Sequence, residues 1–90
     1  LKPDDGYITD SLGWVYFKKG DWEKAIRELE RAHHLVPDDP VIAEHLGDAY
    51  EKQKAGDKAV QMYERALKLD PKKTELKDKI NRLRSQTRRP

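Results

Sequence analysis

The chain contains no cysteine and only one methionine and one phenylalanine. The lack of cysteine excludes a disulfide framework, a thiolate zinc site and thiol catalysis. No apolar stretch approaches the ~18 unbroken residues that a membrane-spanning helix needs, so the sequence predicts no such helix. Gly-rich phosphate-binding loops of the GxGxxG or GxxxxGK(S/T) type are also missing. These absences argue against a redox, nucleotide-binding or transmembrane protein.

Charged residues form 40% of the 90-residue chain and hydrophobic residues 36%, which suits one small domain. The aromatic and aliphatic residues recur periodically, and this argues against a disordered chain. The net charge of +2 hides an asymmetry. Residues 1–70 carry 11 Lys/Arg against 15 Asp/Glu, or −4, whereas residues 71–90 carry 8 against 2, or +6. The protein therefore has an acidic body and a basic C-terminal segment.

The sequence repeats itself with a period of 34 residues. Residues 6–39 and 40–73 are identical at 12 of 34 aligned positions. These are Ile8/Ile42, Leu12/Leu46, Gly13/Gly47, Tyr16/Tyr50, Lys18/Lys52, Lys24/Lys58, Ala25/Ala59, Glu30/Glu64, Arg31/Arg65, Ala32/Ala66, Leu35/Leu69 and Pro37/Pro71. Residues 1–5 resemble 35–39 in the same frame and are interpreted as the remnant of a preceding repeat. The alternative is an N-terminal loop that resembles the others by chance.

Each repeat is expected to form two helices. Asp39 is suited to cap a helix that begins at Pro40, and Gly20-Asp21 ends one helix and starts the next. Apolar residues at helical spacing fill the segments between these signals. The sequence predicts helices near 6–19, 21–35, 40–54, 57–69 and 74–86, followed by a disordered tail over 87–90. The fold class is therefore all-α.

Two glycines lie inside predicted helices at the same place in both repeats. Gly13 and Gly47 would each destabilise a helix by about 1 kcal/mol relative to alanine. A shared cost of this kind suggests that the two helices of a pair approach closely, with Ala25 and Ala59, and also Ala32 and Ala66, as the small facing residues.

These residues resemble the tetratricopeptide repeat (TPR) family. The resemblance rests on Leu12-Gly13-x-x-Tyr16, Ala25-x-x-x-Leu29, Ala32 and Pro37, and on Leu46-Gly47-x-x-Tyr50, Ala59-x-x-x-Tyr63, Ala66 and Pro71. It implies a right-handed α-solenoid of antiparallel helix pairs, five helices in all. Two features depart from the family pattern. Thr9 and Ala43 replace its usual Trp, and Lys54-Ala55 replaces Gly20-Asp21, which predicts a looser turn or a longer third helix.

The segment 74–86 carries one thin apolar stripe of Leu76, Ile80 and Leu83 among polar residues. Repeat arrays need a terminal element with a polar outer face. The segment resembles the solvating helix that closes many TPR arrays.

The resemblance also implies a concave groove, lined by the first helices of successive repeats, that holds a partner peptide or helix. The groove residues carried over are Tyr7, Asp10, Ser11, Trp14, Phe17, Lys18, Val41, Glu44, His45, Asp48, Glu51, Glu75, Asp78, Lys79 and Arg82. This surface is expected to be aromatic at one end and acidic in the middle. Alternatively, Trp14 and Phe17 pack under a preceding repeat.

Chaperone-binding TPR domains hold a C-terminal carboxylate with two Lys, one Arg and two Asn. The matching positions here are Asp10, Trp14, His45, Glu75 and Lys79. Only Lys79 has a suitable charge, and the carboxylates would repel an acidic peptide. The sequence therefore predicts that this chain is not a receptor for acidic chaperone tails.

No constellation of catalytic or metal-binding residues stands out. His33 and His34 are adjacent on a helix and diverge by about 100°, and His45 with Asp48 gives only two ligands of the three or four that zinc needs. We expect no enzyme activity, no cofactor, no metal and no small-molecule substrate.

The sequence thus predicts a protein–protein interaction or scaffold module, interpreted as a piece of a longer TPR protein of bacterial style. Three further hypotheses accompany it. The basic C-terminal helix, with Arg82, Arg84, Arg88 and Arg89, could bind nucleic acid or an anionic membrane, although nucleic acid is not the favoured partner. The chain could regulate an attached catalytic domain. An apolar N-terminal face with Ile8, Val15 and Trp22 could form a weak homodimer. The cytoplasm is the favoured compartment, with a periplasmic or membrane-associated parent as alternatives.

Overall fold

The computed structural model describes residues 5–87, of which Thr87 is described by its backbone alone. This part of the chain forms five helices and no strand. They are α1 (Gly6–Lys18), α2 (Trp22–Leu35), α3 (Pro40–Lys52), α4 (Gly56–Leu69) and α5 (Glu75–Thr87). Each boundary lies within two residues of the predicted one. Thr87 belongs to α5, so the prediction of a disordered tail is wrong at that residue, and its remainder, 88–90, lies outside the described residues.

Consecutive helices pack side by side, and α3 also contacts α1. The arrangement is an all-α helical solenoid, as predicted. Helices α1 and α2 lie within residues 6–39, α3 and α4 within 40–73, and α5 follows as a single helix. Most of the proposed remnant of a preceding repeat, residues 1–4, lies outside the described part. None of the helices over 5–87 is long and apolar enough to cross a membrane.

Aspartate side chains begin three of the helices. The Asp5 carboxylate accepts hydrogen bonds from the backbone N–H groups of Tyr7 and Ile8 at 2.9 and 3.1 Å. Asp39 caps α3 in the same way at 2.8 and 3.1 Å, and Asp21 caps α2 through the N–H of Lys24 at 3.3 Å. These bonds satisfy N–H groups that have no partner within the helix, which is why the chain turns at these points.

The turn of the second pair has the geometry of the first despite its different residues. Helix α3 ends at Lys52, one period after Lys18, so it is not longer. Lys54 takes the left-handed conformation, with φ +60°, that Gly20 adopts at φ +79°. Ala55 then precedes α4 as its N-cap residue and forms no side-chain hydrogen bond to it. The prediction of a looser turn or longer helix is wrong, because helix packing imposes the turn on a residue that disfavours it.

Among residues 5–87, most of the buried apolar side chains form two clusters that follow the array. One contains Ala25, Leu29, Leu46 and Ala49, and the other Ala43, Ala59, Tyr63, Ala66, Leu76, Ile80 and Leu83. Leu76, Ile80 and Leu83 are all buried, so the predicted apolar stripe of α5 does cover α4. The outer face of α5 remains polar and exposed.

Within each pair the two helices approach closely at the glycine, Gly13 in the first pair and Gly47 in the second. The residues opposite these glycines are not the predicted alanines. A Cβ at Gly13 would lie 2.7 Å from Cγ of Leu29, and one at Gly47 would lie 2.7 Å from ring atoms of Tyr63. The expected small residues are buried but are not the nearest neighbours of either glycine: Ala25, Ala32, Ala59 and Ala66. Large side chains, one turn further along the second helix, fill the space that each glycine leaves.

The first helix exposes apolar side chains on its outer face. Ile8, Leu12 and Val15 are 45%, 43% and 49% exposed. Trp22, which the sequence placed on the same exposed face, is half-buried and packs edge-on against Phe17, with ring centroids 5.2 Å apart. Its inclusion in that face is therefore wrong, because the ring turns toward α1.

His33 carries a polar atom without a partner. Its Nδ1 atom is buried, and no group in the described part of the chain bonds to it. Burial lowers the pKa of His33 below its ordinary value of 6.5, and the charges of Arg65 and His34 lower it further. The folded protein therefore binds a proton at His33 less readily than the unfolded chain does.

This difference predicts a loss of stability on mild acidification. As pH falls below about 6.5, the unfolded chain takes up the proton first, so the free energy of unfolding decreases. In the His33→Leu variant, which copies Leu67 of the second repeat, this decrease between about pH 6.5 and 5 should be smaller. Urea unfolding at several pH values measures it. The exposed His34→Gln variant is the control: it removes only the smallest of the three causes, so it should keep most of the wild-type pH dependence. An unchanged slope in His33→Leu would contradict the assignment.

Candidate functional site

The predicted groove residues lie on α1, α3 and α5, the first helix of each pair and the closing helix. At one end, aromatic rings form a continuous stack. Trp14 lies parallel to Phe17, with centroids 4.3 Å apart and planes at 5°, and stacks on His45 of α3 at 4.0 Å. Both aromatic residues thus contact neighbouring helices of this chain. We call Trp14, Phe17 and His45 the aromatic stack.

The ring of His45 is fixed by a hydrogen bond to α1. Its Nδ1 atom lies 2.9 Å from Oδ1 of Asp10. The sequence pairing of His45 with Asp48 as a weak metal site is not formed, because Asp48 faces α4 and α5 instead. The Lys18 ammonium lies 5.6 Å from the centre of the Trp14 ring. This end of the groove is thus an aromatic surface in which Asp10 holds the His45 ring and the Lys18 ammonium lies near the Trp14 ring.

The acidic middle of the groove is compensated by basic residues of the C-terminal segment. Glu44 lies 3.1 Å from the Lys73 ammonium and 3.4 Å from that of Lys79. Lys79 also contacts Asp48 at 3.1 Å. Burial lowers the pKa of Lys79, but Asp48 and Glu44 outweigh this effect and raise the pKa overall. The middle of the groove is therefore acidic in sequence, as predicted, but Glu44 and Asp48 already have lysine partners.

Tyr63 joins this network from the second helix of the pair. Its side chain is fully buried, and two carboxylates share its single hydroxyl proton, Asp48 at 2.5 Å and Glu51 at 2.9 Å. Burial and the two carboxylates raise the pKa of Tyr63. Arg82 donates to Glu51 at 2.7 Å. Burial raises the pKa of Glu51, but the bonds from Arg82 and Tyr63 prevail and hold it below its ordinary value. We call Glu44, Asp48, Glu51, Tyr63, Lys79 and Arg82 the charged network.

Sequence reasoning missed Tyr63 and Lys73 as members of this surface. Tyr63 occupies the place of Leu29 in the first repeat, and Asp48 and Glu51 occupy the places of Trp14 and Phe17. At each of these three positions the second repeat has a polar residue where the first has an apolar one. These paired differences were the sequence signal that could have identified Tyr63. An apolar contact in the first repeat is thus replaced by a hydrogen-bonded one in the second.

Several predicted groove residues remain open to solvent. Tyr7 is 60% and Val41 44% exposed, and they hold equivalent places at the starts of α1 and α3. Asp78 and Glu75 on α5 are also exposed. A ligand can therefore reach apolar groups at the start of the first helices and carboxylates on α5.

The basic C-terminal helix is partly engaged within the chain. Arg82 is bonded to Glu51, and Arg84 forms an ion pair with Glu64 of α4. Arg88 and Arg89 lie outside the described residues. No observation in the described part favours binding of nucleic acid or an anionic membrane, and that hypothesis stays a prediction. Within residues 5–87, no group of three His, Asp or Glu side chains could hold a metal ion.

Known proteins resemble this chain in sequence pattern and in structure. The sequence profile of the family described as "Tetratricopeptide repeat" matches residues 11–74. Among curated proteins no sequence relative is found. A solved structure of a MamA mutant superposes with a TM-score of 0.85 at 22% identity, over 94% of this chain and 62% of that one. This chain thus spans less than two thirds of that protein.

A second solved structure is titled "First TPR of Spaghetti (RPAP3) bound to HSP90 peptide SRMEEVD". It superposes with a TM-score of 0.80 at 21% identity, over 93% of this chain and 68% of that one. At these identities the two structures establish the fold alone. The profile covers most of the chain, from within α1 to the residue before α5. The chain therefore belongs to the tetratricopeptide repeat family.

Proposed function

We propose that this chain is a non-catalytic protein–protein interaction module that binds a peptide or helix of a partner protein along α1 and α3. The observation that carries the proposal is the combination of exposed Tyr7 and Val41 with the ordered aromatic stack beside them. Rigid aromatic residues lose little conformational entropy on binding and are frequent anchors of interfaces. Membership of the family supports an interaction role of this kind.

The ligand is proposed to be a neutral or basic segment with an aromatic or aliphatic anchor. The anchor would contact Tyr7, Trp14 and Val41. A basic residue could meet the exposed carboxylates of Glu75 and Asp78, whereas Glu44, Asp48 and Glu51 are already compensated. Binding should therefore depend mainly on apolar contact and only weakly on salt.

An acidic C-terminal peptide is a poor fit for the same surface. Of the positions that would clamp a carboxylate, Asp10 is bonded to His45, and Lys79 is engaged by Glu44 and Asp48. Glu75 is exposed and would repel the ligand. The peptide SRMEEVD, which the structural neighbour binds, is thus a useful negative probe.

The test is a peptide array of neutral, basic and acidic segments with and without an aromatic anchor, followed by fluorescence titration of the strongest binder. We expect anchored neutral or basic peptides to bind, and SRMEEVD to bind at least tenfold more weakly. Substitution Tyr7→Ser should weaken the binder by about tenfold, because truncating an interface anchor often removes more than 1 kcal/mol. Val15→Ser, on the outer face of α1, is the matched control and should not change affinity.

Two results would overturn the proposal. One is equal loss of affinity in Tyr7→Ser and Val15→Ser, which would place the ligand elsewhere. The other is micromolar binding of SRMEEVD that disappears in Lys79→Ala while circular dichroism shows the fold intact. In that case the clamp would operate despite its unusual residues.

A further inference from the structure

A cleft of about 450 Å³ lies between α4 and α5, outside the groove. The residues that α5 contributes to it include none of the predicted groove residues; they are Lys77, Ile80, Asn81 and Arg84. Its floor is aliphatic, because Leu67 of α4 is half-buried and packs against the core cluster to which Ile80, 5% exposed, belongs. An aliphatic side chain placed on this floor would be removed from water, which stabilises a bound ligand.

Two lysines at the edge of this cleft are open to a ligand. Lys68 of α4 and Lys77 of α5 are exposed, and within residues 5–87 neither ammonium group forms an ion pair. The lysines on the groove side differ in this respect, because Lys73 and Lys79 are both bonded to Glu44. The two positive charges of the cleft are therefore available to the carboxylates of a ligand.

The other charged residues of the cleft leave an excess of positive charge. Arg84 of α5 forms an ion pair with Glu64 of α4 along one wall, so the lining holds three cations and one carboxylate. A second cleft of about 420 Å³, lined mainly by residues of α2, α3 and α4, has the opposite excess, with Glu23 and Glu30 against Lys58. Charge complementarity therefore directs an acidic ligand to the cleft between α4 and α5 and away from the second cleft.

The side chains of α5 also restrict the shape of the ligand. One period earlier, α4 fills the corresponding place on α3, where Gly47 lies against the ring of Tyr63 and Ala43 belongs to the same core cluster. Asn81 and Lys77 occupy these two positions in α5, and both are exposed. Their longer side chains obstruct a helix that approaches as closely as α4 approaches α3. They suit a narrower, extended segment, whose backbone the Asn81 amide can bond.

We propose that this cleft binds an extended acidic segment of a partner protein. One aliphatic side chain of the segment lies on Leu67 and Ile80, and its carboxylates pair with Lys68 and Lys77. A peptide is favoured over a nucleic acid because the floor offers no aromatic ring for base stacking, and Glu64 would repel a phosphate backbone. The inference does not depend on the proposed function, since the two surfaces share no residue and select ligands of different charge.

The experiment titrates the 90-residue chain into a dye-labelled peptide with blocked ends, Asp-Glu-Glu-Leu-Asp-Glu, and follows fluorescence anisotropy. Saturable binding is expected. The same peptide with serine in place of leucine should bind about tenfold more weakly, because it loses the buried aliphatic side chain. A peptide with lysine at every acidic position should not bind.

Charge reversal in the protein locates the contact. Lys77→Glu and Lys68→Glu should each weaken binding about fivefold or more, because an attractive charge becomes a repulsive one. Lys19→Glu, at the exposed end of α1, changes the net charge equally and is the control, with an expected change below about twofold. Circular dichroism of each variant checks that the fold is intact.

Three results would overturn the proposal. Equal weakening by Lys77→Glu and Lys19→Glu would show attraction by net charge alone. Binding of the serine peptide, or of a ten-nucleotide oligothymidylate, as tightly as the leucine peptide would show a site for any polyanion. In a nuclear magnetic resonance titration the backbone amide signals of Leu67 and Ile80 should shift. A shift of Tyr7 and Val41 in their place would put the acidic peptide in the groove.

Discussion

The Gly47→Leu variant is expected to lose about 3 kcal/mol or more of its free energy of unfolding, at the upper end of what added core volume usually costs. The first atom of the new side chain would lie 2.7 Å from two ring carbons of Tyr63. That ring is fully buried, and its hydroxyl is bonded to Asp48 and Glu51. The ring therefore cannot withdraw without breaking these bonds. Urea unfolding followed by circular dichroism measures the loss.

Two variants show whether the loss arises from this contact. Gln61→Leu adds the same side chain at an exposed position of α4 and should change stability by less than about 0.5 kcal/mol. Gly13→Leu meets Leu29, which has no polar bond to hold it, so its loss should be smaller than that of Gly47→Leu. If Gly47→Leu unfolds at the wild-type urea concentration, close packing at this glycine is not needed for stability.

The fold could be predicted from the sequence because its signals are local. The 34-residue period, the capping aspartates and the spacing of apolar residues place each helix end within two residues. The choice of Leu29 and Tyr63 opposite the glycines could not be predicted in this way. It depends on the rotation of one helix against the other, and alanines one turn away fit the same periodicity.

The sequence predicted the net charge of the groove residues but not which charges form ion pairs. Counting residues made its middle acidic, but ion pairs join Glu44 to Lys79 and Asp48 to Lys79 across 35 and 31 residues of sequence. The repeat register does indicate which residues pair. Asp10 and His45 are also 35 residues apart and also bonded, so one position of a first helix contacts the next position of the following first helix.

The turn at Lys54 shows that the identity of one turn residue can predict a local geometry wrongly. Local propensity favours glycine at φ +60°, and the missing glycine suggested a different turn. The two helix pairs nevertheless close with the same geometry, because burial of Ala59, Tyr63 and the residues around them outweighs the strain at one residue. Internal repetition was a better guide here than the identity of the turn residue.

Tyr63 combines the packing and the polar network of the second pair, and two substitutions separate these contributions. Tyr63→Phe keeps the ring and removes both hydrogen bonds. Asp48 and Glu51 retain Lys79 and Arg82 as partners, so the expected loss is about 1–2 kcal/mol. Tyr63→Ala also removes a fully buried ring between α3 and α5, and the expected loss rises to about 3–5 kcal/mol.

Tyr50→Phe provides the matched control for the hydroxyl, because its bond to Glu30 lies at an exposed site. Water can replace that bond, so Tyr50→Phe should lose less than Tyr63→Phe, whose two carboxylate bonds lie in a partly buried environment. Urea unfolding of the three variants at neutral pH gives the order Tyr50→Phe, Tyr63→Phe, Tyr63→Ala from smallest to largest loss. Equal losses in the two Phe variants would show that the charged network stabilises the protein through the Tyr63 hydroxyl no more than the exposed bond to Glu30 does through that of Tyr50. A Tyr63→Phe loss as large as that of Tyr63→Ala would instead assign nearly all of the contribution to the hydroxyl, and the packing account of this residue would then be wrong.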